Sequence, residues 1–153
     1  MNLKCILLDS SSSIHQAICS YVPEVRTFNI VTEYMSDECI PYRVNTSVCV
    51  WLTATGTLGE IELIYPRQIS EQIVWASSNI KTQKGRPYFK DFEYEYENVV
   101  VEVSEEQFVI WLNNNGVIDL EVEANNILYL FNYNRLVGLC VKGYETITYS
   151  SNQ

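Results

Sequence analysis

The chain has 153 residues, 47% of them hydrophobic, and carries 19 Asp and Glu against 10 Lys and Arg for a formal net charge of −9. This length and apolar content suffice for a single domain, residues 1–153, whose core needs no metal or disulfide staples. The charge argues against nucleic acid or an anionic membrane as partner, because phosphate binding needs concentrated positive charge; no apolar run approaches the roughly 18 to 20 residues of a membrane-spanning helix.

Leu3 to Leu8 reads as a short buried strand that stops at Asp9 and the serine run Ser10 to Ser13. Its apolar stretch is shorter than the roughly 7 to 15 residues of a secretory signal, so a cytoplasmic location is expected. A short helix is expected next. Ser13 and Gln16 have capping-box spacing, and Ile14, Ala17, Ile18, Tyr21 and Val22 fall on one helical face before Pro23. Strands follow at Arg26 to Tyr34 and Ser47 to Thr53, with Pro41 marking a loop between them. In Glu60 to Tyr65, strict alternation puts Glu60, Glu62 and Ile64 on one face and Ile61, Leu63 and Tyr65 on the other, and Pro66 closes the strand. Ile69 to Ala76 reads equally well as helix or strand, and Ser77 to Pro87 as a long, basic, exposed loop.

From there the strand signal is dense: Phe92 to Val103, Gln107 to Leu112, Val117 to Glu123, Ile127 to Asn132, Leu136 to Val141 and Tyr144 to Tyr149. Between them stand Asn113 to Gly116, Asn125-Asn126, Asn132 with Asn134, and Lys142-Gly143, residues that tolerate the positive φ of tight hairpins. The fold class expected is α+β and mainly β: an antiparallel meander forming a curved sheet, half-barrel or sandwich, with one short N-terminal helix packed on it. A faint echo, Trp51-Leu52, Gly56, Leu58 against Trp111-Leu112, Gly116, Ile118, suggests two related hairpins.

Five cysteines (Cys5, Cys19, Cys39, Cys49, Cys140) have neither the pairing nor the spacing of a disulfide framework or zinc knuckle, and most sit among apolar neighbours as small hydrophobes. His15 is the only histidine, which excludes sites that need two imidazoles. On the expected helix it lies one turn before Cys19, a spacing that allows a Cys-His pair, although a rim histidine is the simpler reading. Asp9 with Ser10 to Ser13, between strand and helix, lacks the glycines and lysine of a phosphate cradle. No catalytic residue, metal site or cofactor is indicated.

The distinctive feature is acidic alternation. Asp91, Glu93, Glu95 and Glu97 share one strand face, with Phe92, Tyr94 and Tyr96 opposite; Asp119, Glu121 and Glu123 repeat the pattern, and Glu60 and Glu62 form a smaller case. Same-face neighbours stand about 6.8 Å apart, so the carboxylates repel without converging on one small ion. The bland reading is a solvated face, neutralised by Lys81 to Lys90 folding back. The functional reading is a non-enzymatic protein that docks a basic protein partner through these faces, one version being a bacterial immunity protein that blocks a cationic toxin such as a nuclease. The alternative is a small-ligand-binding or enzymatic β-barrel with an aromatic-lined cavity.

Overall fold

The computed structural model describes residues 15–73, 81–90, 98–113 and 117–149, and the backbone alone of residues 2–6. Among these residues the chain forms β1 (Asn2–Ile6), β2 (Ile18–Val22), β3 (Thr27–Val31), β4 (Ile40–Asn45), β5 (Val48–Leu52), β6 (Leu58–Ile64), β7 (Gln68–Ser70) and β8 (Lys81–Lys84). It continues through β9 (Arg86–Lys90), β10 (Val100–Val103), β11 (Gln107–Trp111), β12 (Leu120–Ala124), β13 (Ile127–Asn132), β14 (Arg135–Lys142) and β15 (Glu145–Thr146). Sheet A runs β7-β10-β11-β14-β13-β12-β8, with β1 joining β14 to β9; sheet B runs β15-β2-β3-β6-β5-β4. The protein is thus mainly β, and its described residues form two mixed sheets, neither of which closes into a barrel.

The expected N-terminal helix is absent. Ile18–Val22 is strand β2, paired antiparallel with β3, and the helical turn beside it is the single 3-10 turn Pro23–Val25. Ala17, Cys19 and Tyr21 face the core while Ile18 is 74% exposed, so the apolar stripe read as helical is divided between two faces of a strand. Two turns of helix would be marginal alone, whereas a β-branched and aromatic segment beside β3 gains a full ladder of backbone hydrogen bonds. Arg26, with φ of 46°, makes the reversal.

Two expected loops are strands. Pro41 lies within β4, where its missing N–H is tolerated because β4 is the edge of sheet B. The basic stretch contains β8 and the start of β9, separated by Gly85. β8 lies parallel to β12, so the basic segment does fold beside an acidic one, with Lys84 opposite Glu123. The alternation read in Glu60 to Tyr65 holds through Ile64, since Ile61 and Leu63 are buried and Glu60 and Glu62 half-buried. Gln68–Ser70 is strand; residues 74–80 and the acidic stretch 91–97 lie outside the described residues, as do Asp9 to Ser13.

Sheet B holds a meander in β4-β5-β6, and the one expected of the C-terminal half is present in β12-β13-β14. β11 pairs with β14 rather than with β12, which turns these four strands into a Greek-key order. The Trp51 and Trp111 echo does not denote equivalent hairpins for the same reason: β5 pairs with β6, but β11 and β12 are not neighbours. Lys142-Gly143 makes no hairpin either. With φ of 79°, Gly143 leads the chain into β15, which pairs parallel with β2 in the other sheet. At the tip of β13 and β14, Tyr133 and Asn134 both have positive φ, the requirement for a type I′ turn, and the Tyr133 N–H donates to Asp119 Oδ2 at 2.9 Å.

The inner faces of the two sheets share one core. Phe28, Ile30, Leu52 and Leu63 of sheet B meet Phe108, Ile110, Phe131 and Leu139 of sheet A, all fully buried, with the Phe28 and Phe108 rings 5.1 Å apart. Each such side chain contributes about 1.5 to 3 kcal/mol on burial. Two polar joints fix the sheets at one end. The Phe89 N–H donates to the Gly56 carbonyl at 2.9 Å, and a Cβ at Gly56, whose φ is 91°, would strike the Phe89 backbone. The second joint is Asn126, 7% exposed: its Oδ1 accepts from the Ala17 N–H at 2.8 Å and its Nδ2 donates to the Ala17 carbonyl at 2.9 Å, imitating a strand neighbour.

Candidate functional site

The acidic residues singled out from the sequence do not form one surface. Asp91, Glu93, Glu95 and Glu97 lie outside the described residues. Asp119 is exposed and caps the Tyr133 turn, and Glu123 is exposed beside Lys84 and Lys142. Glu121 requires a correction: it is 1% exposed, and Thr82 donates to its Oε2 at 3.0 Å. The alternation correctly places it opposite core residue Val122, but the outer face of sheet A is itself covered there. Val109, Leu128, Leu130, Val137 and Cys140 make a second buried cluster on that face, packed by Ile73, Trp111 and Ile118. A polar cleft of about 210 Å³ opens at the rim, between Thr82, Glu121, Glu123 and Lys142. Among the described residues no three His, Cys, Asp or Glu converge to hold a metal ion.

Glu60 and Glu62 are placed differently. They occupy the middle of the outer face of sheet B, where register aligns Ile18, Val31, Glu60, Trp51 and Pro41 in one row and Ser20, Asn29, Glu62, Cys49 and Arg43 in the next. This face is open: Ile18 is 74% exposed and Ile64 43%, while Trp51 and Cys49 are half-buried. Partial burial pushes the Glu60 carboxyl above its ordinary range, the neighbouring Glu62 adds to the rise, and a hydrogen bond from Asn29 opposes it. Among the described residues, the one contact within salt-bridge distance joins His15 Nδ1 to Glu33 Oε2 at 3.5 Å, an ion pair only when the imidazole is protonated.

His15 and Cys19 do not form a nucleophile pair. His15 is exposed and turned to Glu33, whereas the buried Cys19 thiol donates to the Ala17 carbonyl at 3.7 Å. Burial pushes the Cys19 thiol up to about 12, against a weaker opposing hydrogen bond from Asn126, so the group stays a neutral thiol. Cys39 and Cys140 are also buried and free.

One arrangement gathers residues that no sequence motif links. At the jointed end of the sandwich a pocket of about 30 Å³ opens to the surface. Its floor is apolar (Leu58, Ala124, Ile127 and Tyr129) and its rim carries His15, Glu33, Tyr34 and Arg86. The Arg86 guanidinium carbon lies 4.9 Å from the Tyr34 ring centroid and 5.1 Å from that of Tyr88, and Nη2 donates to the Tyr88 hydroxyl. Arg86 Nε is buried without a hydrogen-bond partner. Burial also raises the pKa of the Tyr129 hydroxyl, which remains protonated. The available signal was the alternation in Arg86-Pro87-Tyr88-Phe89, masked by reading the basic residues as a loop.

No helix among the described residues is long and apolar enough to cross a membrane. A scan against protein-family models finds no match, and a search of curated proteins finds no significantly similar sequence.

Proposed function

We propose that the chain is a cytoplasmic, single-domain binding protein that acts without catalysis and docks a basic protein partner. The observation that carries this reading is the outer face of sheet B. Glu60 and Glu62 stand at its centre with no Lys or Arg among the described residues in ion-pairing distance, and Ile18, Trp51 and Ile64 supply apolar contacts around them. Uncompensated carboxylates speed encounter with a cationic surface, while exposed aliphatic and aromatic groups give the docked state its stability. The net charge of −9 supports the same partner chemistry. The carboxylates of Asp91, Glu93, Glu95, Glu97, Asp119 and Glu123 extend the acidic character, and Glu121 is set aside because it is buried. A bacterial immunity protein that occludes the nucleic-acid-binding surface of a cationic toxin is the most concrete version.

The test is affinity capture from the native host with wild type and with Glu60→Lys/Glu62→Lys. Wild type retains a protein of high pI whose association slows as salt is added; the double variant, equally folded by circular dichroism, loses it. Undiminished capture by the variant refutes this face as the docking surface.

A second reading, small-ligand binding, is favoured by the pocket between the sheets, where a half-buried arginine meets an apolar floor. A compound library read by thermal shift tests it, since a ligand that binds only the folded chain raises the melting temperature.

A further inference from the structure

The Arg86 pocket resolves that second reading into a ligand class. Arg86 is the cation at the pocket rim, half-buried and clamped between two tyrosine rings, in a protein with nearly twice as many acids as bases. A desolvated charge is ordinarily neutralised by a partner of opposite sign. Among the described residues the only carboxylate within salt-bridge distance of a basic side chain is Glu33, at His15, so no described carboxylate pairs with the guanidinium, although Glu33 lines the same pocket. The tyrosines hold the cation through their ring faces and through hydrogen bonds to their hydroxyls, which keep its pKa up against partial burial, but neither carries the opposite charge. An anion that enters through the mouth of the pocket would supply the opposite charge.

The surroundings restrict which anion fits. Leu58, Ala124 and Ile127 line the apolar floor of the pocket that Arg86 also lines, and a space of about 30 Å³ admits only a small group. Glu33 at the rim repels a second negative charge, which disfavours phosphate relative to a singly charged acid. We propose that this pocket binds a small aliphatic monocarboxylic acid, with its carboxylate on the Arg86 guanidinium and its alkyl group against Leu58, Ala124 and Ile127. The assignment rests on the small-ligand reading and is independent of the docking face on sheet B.

The experiment is a titration of the 15N-labelled chain at constant ionic strength with isobutyrate, its uncharged isostere isobutyramide, and inorganic phosphate. Isobutyrate is expected to shift the amide signals of Thr57, Ala124 and Ile127 and the Arg86 side-chain signal saturably, with isobutyramide and phosphate at least about tenfold weaker. Arg86→Gln, and separately Ala124→Leu, which fills the floor and spares the guanidinium, should each weaken isobutyrate by about tenfold or more. Isobutyramide or phosphate binding as tightly as isobutyrate overturns the monocarboxylate assignment and leaves a small-ligand pocket standing. No saturable shift with any of the three overturns both. Should Arg86→Gln fail to fold, the acid-against-amide comparison on wild type and the Ala124→Leu titration still decide.

Discussion

The outer faces of the two sheets begin from the same sequence vocabulary and end in opposite environments. β6 carries Glu60 and Glu62 alternating with Ile61 and Leu63; β12 carries Glu121 and Glu123 alternating with Leu120 and Val122. On sheet B the acidic face remains open, with Ile18 74% exposed and Trp51 half-buried. On sheet A the corresponding face is sealed at Val109, Leu130, Cys140 and Glu121, all at most 1% exposed. Alternation identifies which residues share a face. It does not say whether that face meets water, because a second layer can cover it.

The strongest way to break this comparison is to reverse one charge on each face. Glu121→Lys puts a cation where Thr82 supplies a hydroxyl donor, and is expected to cost about 3 kcal/mol or more, or to prevent folding. Glu62→Lys on the open face should change stability by no more than about 0.5 kcal/mol. Urea unfolding of the two variants checks both; equal costs would mean that the faces are not differently covered.

The cysteines provide a probe that leaves charge untouched. Cys49 lies on the outer face of sheet B and Cys140 on that of sheet A, where burial pushes its thiol up to about 11. In the native state Cys140 should react with iodoacetamide on the order of a hundredfold more slowly than Cys49, and the gap should close in urea. Peptide mass spectrometry after timed labelling reads the ratio.

Asn126 sharpens the comparison by testing what holds the two sheets in place. Asn126→Ala leaves both the N–H and the carbonyl of Ala17 without their buried partners, at an expected cost of about 2 kcal/mol measured by the same urea transition. The smallest effect is a gain. Burial and then Glu62 raise the Glu60 carboxyl, so the folded chain holds that proton more tightly than the unfolded chain, and the site loses stability as pH rises through its raised pKa. Glu60→Gln should therefore stabilise the neutral-pH protein by about 0.5 kcal/mol, a difference that fades as pH falls and the wild-type carboxyl is protonated. If Glu60 serves docking, the same change weakens partner capture.

Glu60 to Tyr65 was readable because burial alternates along the observed Leu58–Ile64, while Gln107 to Leu112 and Ile127 to Asn132, buried on both faces, were readable as short apolar runs between turn residues and match Gln107–Trp111 and Ile127–Asn132. The N-terminal segment was not. Ala17, Ile18, Tyr21 and Val22 satisfy a helical spacing and a strand equally, and the neighbour β3, distant from any local signal, decides between them. Among the candidate residues, the placement of Glu60 and Glu62 on the face opposite Ile61 and Leu63 was legible, but not their half-burial. The burial of Glu121 and the Arg86 pocket were not, since the pocket gathers residues as far apart as His15 and Tyr129.

By itself the sequence determined the chemistry of each strand: its two faces, its turn residues at Asn125 and Asn134, and the excess of carboxylates. Those follow from steric and hydrogen-bonding preferences that act over a few residues. Only the tertiary structure decided that β11 lies beside β14, that β15 crosses to sheet B, that one acidic face is covered and the other open, and that Arg86 is clamped by Tyr34 from the other sheet's loop. Strand pairing and layer packing are settled by contacts between residues distant along the chain, where the burial of shared apolar surface selects among arrangements that local preferences leave equivalent.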